Sequence, residues 1–372
     1  MRLTIERAAL LKALGHVQSV VERRNTIPIL SNVLLAADRG SLAFSATDLD
    51  MEIIDEAPAE VEGSGQITAP AHTLYEIVRK LPEGADVELR YTAEDPRLSV
   101  SAGRSRFNLP VLPAGDFPVM SQDGLSSRLS VDTNDLIRLI DKTRFAISTE
   151  ETRYYLNGLY LHAVTEGGQA KLRAVATDGH RLALAEMPAP EGAAGLPGVI
   201  VPRKTVQEAR RLLDDAPEVV ELQVSPAKVR LDFGGAALTS KVIDGSFPDY
   251  GRVIPRDNSK ILTLDNKLFA QAVDRVATIS AEKSRSVKMA IESGRMVLTV
   301  RNMEAGQGVE ELEIDYSGDA FEIGFNARYL MDVTDQIQGE SRLMASRRLV
   351  LPAPLGPNRN TLFPPVANSV RS

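Results

Sequence analysis

LTIERAALLKALGHVQSVV (residues 3–21) is echoed twice in the chain, as LSVDTNDLIRLIDKTRFAI (129–147) and as LTLDNKLFAQAVDRVATI (262–279). Each copy opens with an apolar–polar–apolar strand, breaks at a polar residue and runs on as an amphipathic helix. The copies start at residues 3, 129 and 262. Solenoid units repeat every ~20–50 residues, so a spacing this long marks a whole small domain present three times.

The similarity continues downstream. IPILSNVLLAA (27–37), RYYLNGLYLHAV (153–164) and SVKMAIESG (286–294) predict a second strand, with Leu30, Leu156 and Met289 at matched positions. SLAFSATDLDMEII (41–54), AKLRAVATDGHRLALAEM (170–187) and RMVLTVRNMEAGQGVEELEI (295–314) then read as hairpins. Thr47-Asp48, Thr177-Asp178 and Arg301-Asn302 share the turn. A second helix follows each hairpin, at residues 69–81, 201–213 and 325–337. The first two copies continue into further strands and close on a shared turn marked by Phe117-Pro118 and Phe247-Pro248. The expected fold class is therefore α+β. Limits fall in the polar segments near 125 and 257, giving domains 1–125, 126–257 and 258–372.

Composition narrows the function. The 372 residues contain 43% hydrophobic and 25% charged side chains, as in a soluble globular chain. Cysteine is absent, which excludes disulfides, thiol catalysis and Cys-ligated zinc, and fits a cytoplasmic location. His16, His72, His162 and His180 show no metal-binding spacing, and no glycine-rich phosphate loop occurs, so neither metal nor cofactor is expected. In the TDGHRL segment, Asp178 and His180 could suggest acid–base chemistry. No nucleophile or further histidine motif supports them, and no enzyme is expected. Net charge is −7, yet cations gather on the repeated helices: Lys12, Arg79, Lys80, Arg138, Lys142, Arg144, Arg203, Lys204, Arg210, Arg211, Lys267, Arg275 and Arg328. Each alone is an ordinary solvated cation; together they suggest a shared positive surface.

TIPILSN (26–32), RYYLNG (153–158), ATDGHRLA (176–183), VIVPRK (199–204), DGSFPDYGRVIP (244–255) and EIGFNARYL (322–330) carry a resemblance, in order, to the bacterial DNA polymerase III beta subunit family, the sliding clamps. That resemblance implies three clamp domains per chain and a head-to-tail homodimer closed into a ring. Helices would line the inside and antiparallel sheets the outside. It implies a processivity factor that encircles duplex DNA without reading sequence, is opened by a clamp loader, and tethers the replicative polymerase alpha subunit. Other polymerases and repair proteins would dock through short peptides containing Gln and aliphatic or aromatic residues. No membrane partner is implied.

Matched positions imply the site residues. The peptide cleft falls on Leu156, Thr177, Gly179, His180, Arg181, Leu182, Pro248, Arg252, Val253, Asn326 and Tyr329. The DNA-facing set is Arg24, Arg203, Lys204, Lys283 and Arg285, joined by the helix cations Arg79 and Lys80. The dimer contact falls on Arg104, Arg106, Phe107 and Leu109 of one protomer. Thr278 and Ile279 would oppose them, with Glu304, Glu310 and Glu311 as acidic partners.

Residues 340–372 are atypical for this family. After Glu340 the chain has no acidic residue, five arginines and five prolines. The abrupt change points to a shifted coding frame or a replaced C-terminus, or else to a genuinely divergent tail. Five prolines argue against ladder strands there. A tail so altered leaves an alternative: a monomeric clamp-fold paralogue that only binds peptides.

Overall fold

A computed structural model describes residues 1–23, 26–254, 260–280 and 285–337, together with the backbone of three later strands. The first repeat runs β1 (Arg2–Glu6), α1 (Arg7–Gln18), β2 (Asn32–Asp38), β3 (Ser41–Thr47), β4 (Met51–Pro58), β5 (Glu60–Gly63), β6 (Gly65–Pro70), α2 (Ala71–Lys80), β7 (Asp86–Arg90), β8 (Arg97–Ala102) and β9 (Ser105–Pro110). The second runs β10 (Ser127–Asp132), α3 (Thr133–Asp141), β11 (Gly158–Glu166), β12 (Gln169–Thr177), β13 (Leu182–Pro188), β14 (Val199–Pro202), α4 (Arg203–Leu212), β15 (Val219–Val224), β16 (Lys228–Asp232) and β17 (Ala237–Lys241). The third runs β18 (Lys260–Asp265), α5 (Asn266–Ala277), β19 (Ser286–Glu292), β20 (Arg295–Asn302), β21 (Gly306–Glu313), β22 (Phe321–Asn326), α6 (Ala327–Thr334), β23 (Glu340–Ala345), β24 (Leu349–Pro352) and β25 (Thr361–Phe363).

Two compact units result, and the central repeat contributes to both. One comprises Met1–Leu136, Pro190–Pro197 and Lys204–Val242. It holds a sheet ordered β5-β1-β7-β8-β9 and an eight-stranded sheet ordered β10-β15-β16-β17-β4-β3-β2-β6. Helix α1 buries Leu10, Ala13, Leu14 and Val17, the i, i+3, i+4, i+7 stripe of an amphipathic helix. That stripe packs on α2, β3 and β4. The other unit comprises Ile137–Ala189, Gly198–Arg203 and Ile243–Ser372. Its sheets are ordered β14-β11-β12-β13-β25-β24-β23-β18 and β21-β20-β19-β22. Helix α5 buries Phe269, Ala272, Val273 and Val276 against α6 and strands β18–β21, the same construction.

Two expectations need correction. The second strands of the first two repeats start late, because Pro28–Ser31 and Glu151–Leu156 form 3-10 turns. Pro28 has no N–H to give a ladder, and both turns end at an asparagine, Asn32 or Asn157. The tail does form ladder strands: β23 pairs with β18, β24 with β23, and β25 with β13. Pro352 is accommodated as the last residue of β24, opposite Thr361.

The shared turn is conserved in detail between repeats. Thr47 Oγ1 donates to the Met51 carbonyl and accepts from Leu49 N–H, while Asp48 Oδ1 accepts from the N–H groups of Asp50 and Met51. Thr177 and Asp178 make the same four bonds with Arg181, Gly179 and His180. In the third repeat Asn302 Oδ1 accepts from Glu304 and Ala305 N–H. The Thr-Asp pair is thus a backbone-folding device.

Candidate functional site

The best-defined candidate is built around the second of these turns. Gly179 at its tip has φ +85°, and a Cβ there would lie 2.2 Å from Arg153 Nη1. The left-handed backbone is what calls for glycine, since the Arg153 guanidinium is the far end of a flexible side chain and can move aside. Next to it, His180 is exposed and stacks at 6.2 Å on Tyr329 of α6. Asn326 caps α6, its side chain accepting from Arg328 N–H, so the helix that carries Tyr329 has a fixed start.

Arg181 holds the turn to α6. Its guanidinium bonds Asp178 Oδ2 at 3.1 Å, the Phe145 carbonyl at 2.6 Å and Asp332. It also lies 4.6 Å from the Tyr329 ring centre and 5.2 Å from that of Phe145. Only 9% of its side chain is exposed. Arg181 therefore does not line a free surface, as its expected role required. It is a buried clasp whose charge is already answered by two carboxylates.

Beyond the clasp, Leu182 joins Val175 and Leu184 in an apolar cluster covered by Tyr160, Phe247, Tyr250 and Ile254. Pro248 and Arg252 are exposed on the covering loop, and Val253 is 46% exposed. Arg252 is drawn to Asp249, with 2.9 Å between them. Leu156 is buried. The structure thus brings Thr177, Gly179, His180, Arg181 and Tyr329 together by direct contact. Pro248, Arg252 and Val253 form the covering loop over Leu182. Over this buried apolar cluster the covering loop leaves Pro248, Arg252 and Val253 exposed, and His180 is exposed on the neighbouring turn. Phe145, Asp332 and Tyr250 were missed by sequence reasoning, and Asp178 was marked as a turn residue but not as a partner of Arg181. The partners of the three missed residues lie up to 151 residues away in the chain, and no local pattern marks them.

Two sheet edges carry the residues expected at the protomer contact. Strand β9 ends the first sheet, and Arg104, Arg106 and Phe107 are exposed on or beside it. Leu109 is buried, against expectation: β6 and the Thr68–Leu112 bridge cover that end of β9 and leave Phe107 open. Strand β21 ends the last sheet; Val309 on it is 58% exposed. Glu304 and Thr278 are exposed nearby and Ile279 is half-buried. Glu310 and Glu311 do not stand free for a partner's arginines. Arg275 bonds Glu310 and Arg295 bonds Glu311, and each arginine holds its carboxyl below the usual range.

The proposed DNA-facing cations divide. Arg24 and Lys283 lie outside the described residues. Lys80, Arg203 and Arg285 are exposed. Arg79 is exposed with Glu76 at 2.8 Å. Lys204 is engaged within its own unit, donating to Asp48 Oδ2 at 2.5 Å and to the Val20 carbonyl at 3.0 Å. Arg210 pairs with Asp214, and Arg211 bonds the Gly15 and His16 carbonyls at the end of α1. Several helix cations therefore tie segments of their own unit together through carboxylates and carbonyls.

The comparisons with known proteins decide the family. Models of the DNA polymerase III beta subunit match in chain order: the N-terminal domain at residues 1–121, the central domain at 130–249 and the C-terminal domain at 251–349. The chain belongs to the DNA polymerase III beta subunit family. As a beta subunit it is a sliding clamp, a processivity factor of DNA replication and not an enzyme. It is 80% identical over 339 residues to the beta sliding clamp of Caulobacter vibrioides strain NA1000, covering 91% of each chain. With the Escherichia coli K12 beta sliding clamp it shares 39% over 344 residues, 92% of each. A crystal structure of the Caulobacter crescentus clamp superposes with a TM-score of 0.95 at 74% identity, covering 99% of both chains. A Bartonella birtlesii clamp bound to griselimycin gives 0.95 at 43%, covering 99% of this chain and 100% of the other. Among the described residues no helix is long and apolar enough to cross a membrane.

Proposed function

We propose that two copies of this chain pair head to tail into a ring around duplex DNA. Strand β9 of one protomer would meet β21 of the other. Edge strands expose unpaired backbone groups, and mutual pairing protects both. Repeating a head-to-tail contact until it closes yields a ring. Phe107 would supply the apolar contact, with Val309, Thr278 and Ile279 opposite. Arg104 and Arg106 would face Glu304.

Sliding requires that the hole attract DNA without gripping it. Contacts to phosphates are independent of sequence and weaken with salt. A lining of Arg79, Lys80, Arg203 and Arg285, joined by Arg24 and Lys283, gives the right sign of potential. The partly engaged Lys204 adds little. Retention then comes from topology, so a net charge of −7 is no obstacle.

The cleft beside Tyr329 would capture short peptides of the polymerase alpha subunit, the clamp loader and repair proteins. His180, Tyr329, Pro248, Arg252 and Val253 would touch the peptide; Arg181 would hold the walls in place. The complete set of three clamp domains in one chain carries this reading.

The test is retention on DNA. The protein is loaded by an active clamp loader onto nicked circles, freed of unbound protein by gel filtration, and half the sample is linearised. Retention on circles with loss from linear ends is expected. Equal retention on both would refute the topological mechanism. Absence from both would favour the monomeric, peptide-binding alternative.

A further inference from the structure

The loop that covers the cleft floor is pinned at two points, and both converge on His162. Phe247 stacks on Tyr160 at 4.8 Å with planes 6° apart, and Tyr160 stacks on His162 at 4.5 Å. Three residues on, Tyr250 returns to the same place: its hydroxyl lies 3.0 Å from His162 Nε2 and 3.1 Å from Arg173 Nη1. Pro248 stands between the pinned residues, with Arg252 and Val253 just beyond.

The proton positions follow from donor counting. Arg173 has only donors, so it donates to the Tyr250 oxygen. The Tyr250 proton is then free to go to His162 Nε2, which must be unprotonated to accept it. His162 Nδ1–H is left for the Ala163 carbonyl at 3.3 Å. The groups facing His162 are Arg173 from β12, its cross-strand neighbour, and Tyr250 from the loop. Glu166 lies at the end of β11 and Glu186 on β13, both paired with Arg173. Lys171 bonds Glu186 in turn. Burial, aided by Arg173, holds the imidazole below the ordinary histidine value, against the Ala163 carbonyl and Glu166.

We propose that His162, Arg173 and Tyr250 are positioning residues for the cleft's 247–253 wall, and that the neutral state of His162 is the one competent to capture peptide. This rests on the peptide-cleft reading given above. A proton on Nε2 removes the only acceptor of the Tyr250 hydroxyl in this triad and sets a second cation beside Arg173. The Tyr250 oxygen would then have to accept from both Nε2–H and Arg173 while its own proton loses its acceptor, so the second pin would be weakened between two facing cations, and Pro248, Arg252 and Val253 would be held less firmly. His162 never touches the peptide; its effect passes through Tyr250.

The test uses full-length protein and a fluorescein-labelled peptide of Gln, aliphatic and aromatic residues, read by anisotropy from pH 7.5 to 5. The proteins are wild type, His162→Gln, Tyr250→Phe and Val253→Asp. The informative quantity is the wild-type to His162→Gln affinity ratio, in which any pH effect common to both proteins cancels. Glutamine can offer Tyr250 an oxygen at every pH. The ratio is expected to stay near one at pH 7.5 and to fall about tenfold below the histidine range. Tyr250→Phe is expected to weaken binding about three- to tenfold at pH 7.5, the range for one hydrogen bond. A ratio independent of pH overturns the proposal, even if Tyr250→Phe fails to fold. If Val253→Asp, an exposed change, binds as well as wild type, the peptide sits elsewhere and the cleft reading itself fails.

Discussion

Replacing Arg181 by leucine keeps the apolar stem and removes the guanidinium. Asp178 and Asp332 then face one another's neighbourhood without their shared cation, and the Phe145 carbonyl loses a donor. Removing one partner of a buried ion pair costs about 3–5 kcal/mol. The two carboxylates retain 16% and 28% side-chain exposure, and Asp178 still accepts two backbone N–H groups. The lower end, about 3 kcal/mol, is therefore the appropriate value. Loss of the cation over Tyr329 adds about 0.5–1 kcal/mol. At about 2–4 °C per kcal/mol for a unit of this size, the melting midpoint should fall by about 7–16 °C. Thermal unfolding followed by circular dichroism measures it. Asp332→Asn in the same chain should recover part of the loss, because it removes one of the stranded charges. A destabilisation under about 1 kcal/mol, or strict additivity of the two changes, would refute the clasp.

Three further outcomes follow from the same structure. Phe107→Asp, at an uncovered sheet edge, should raise the dimer dissociation constant at least about thirtyfold, the effect of losing one interface hot spot, and sedimentation velocity would show the monomer. Gly179→Ala forces a side chain into a left-handed conformation and against Arg153; it should cost about 1–2 kcal/mol in urea unfolding and weaken peptide binding. His16 at 3.2 Å, with Lys12, holds the Asp215 carboxyl below its usual value. Its contribution is therefore present above the unfolded carboxyl value and lost as pH falls through the lower folded one. Asp215→Asn should flatten the stability curve below about pH 4, and an unchanged acid limb would contradict the assignment.

The repeat was legible because it is written in side-chain period: the buried stripes of α1 and α5 are those the pattern marks. The Thr-Asp turn was legible as a turn, since its bonds span only two to four residues. What failed was long-range. Phe107 and Leu109 share a face by alternation, yet only one is covered, and β6 decides which. Arg181 and Lys204 carry the signature of ligand-facing cations, yet each found carboxylates within its own unit. The tail's prolines argued against ladder strands, and the argument failed because β23 contains none of them and Pro352 falls on the last residue of β24.

One ladder bears on how such a ring could be unlocked. Strand β17 of the second repeat pairs with β4 of the first, from Ala237 opposite Ile54 to Ser240 opposite Met51. The seam between these repeats is thus stitched by main-chain bonds inside a single covalent chain, in the middle of an eight-stranded sheet. Prising it apart would tear a sheet at its centre. In the proposed ring a gate for DNA would instead be hung at the junction between protomers, where parting two edge strands leaves each chain's own sheets whole.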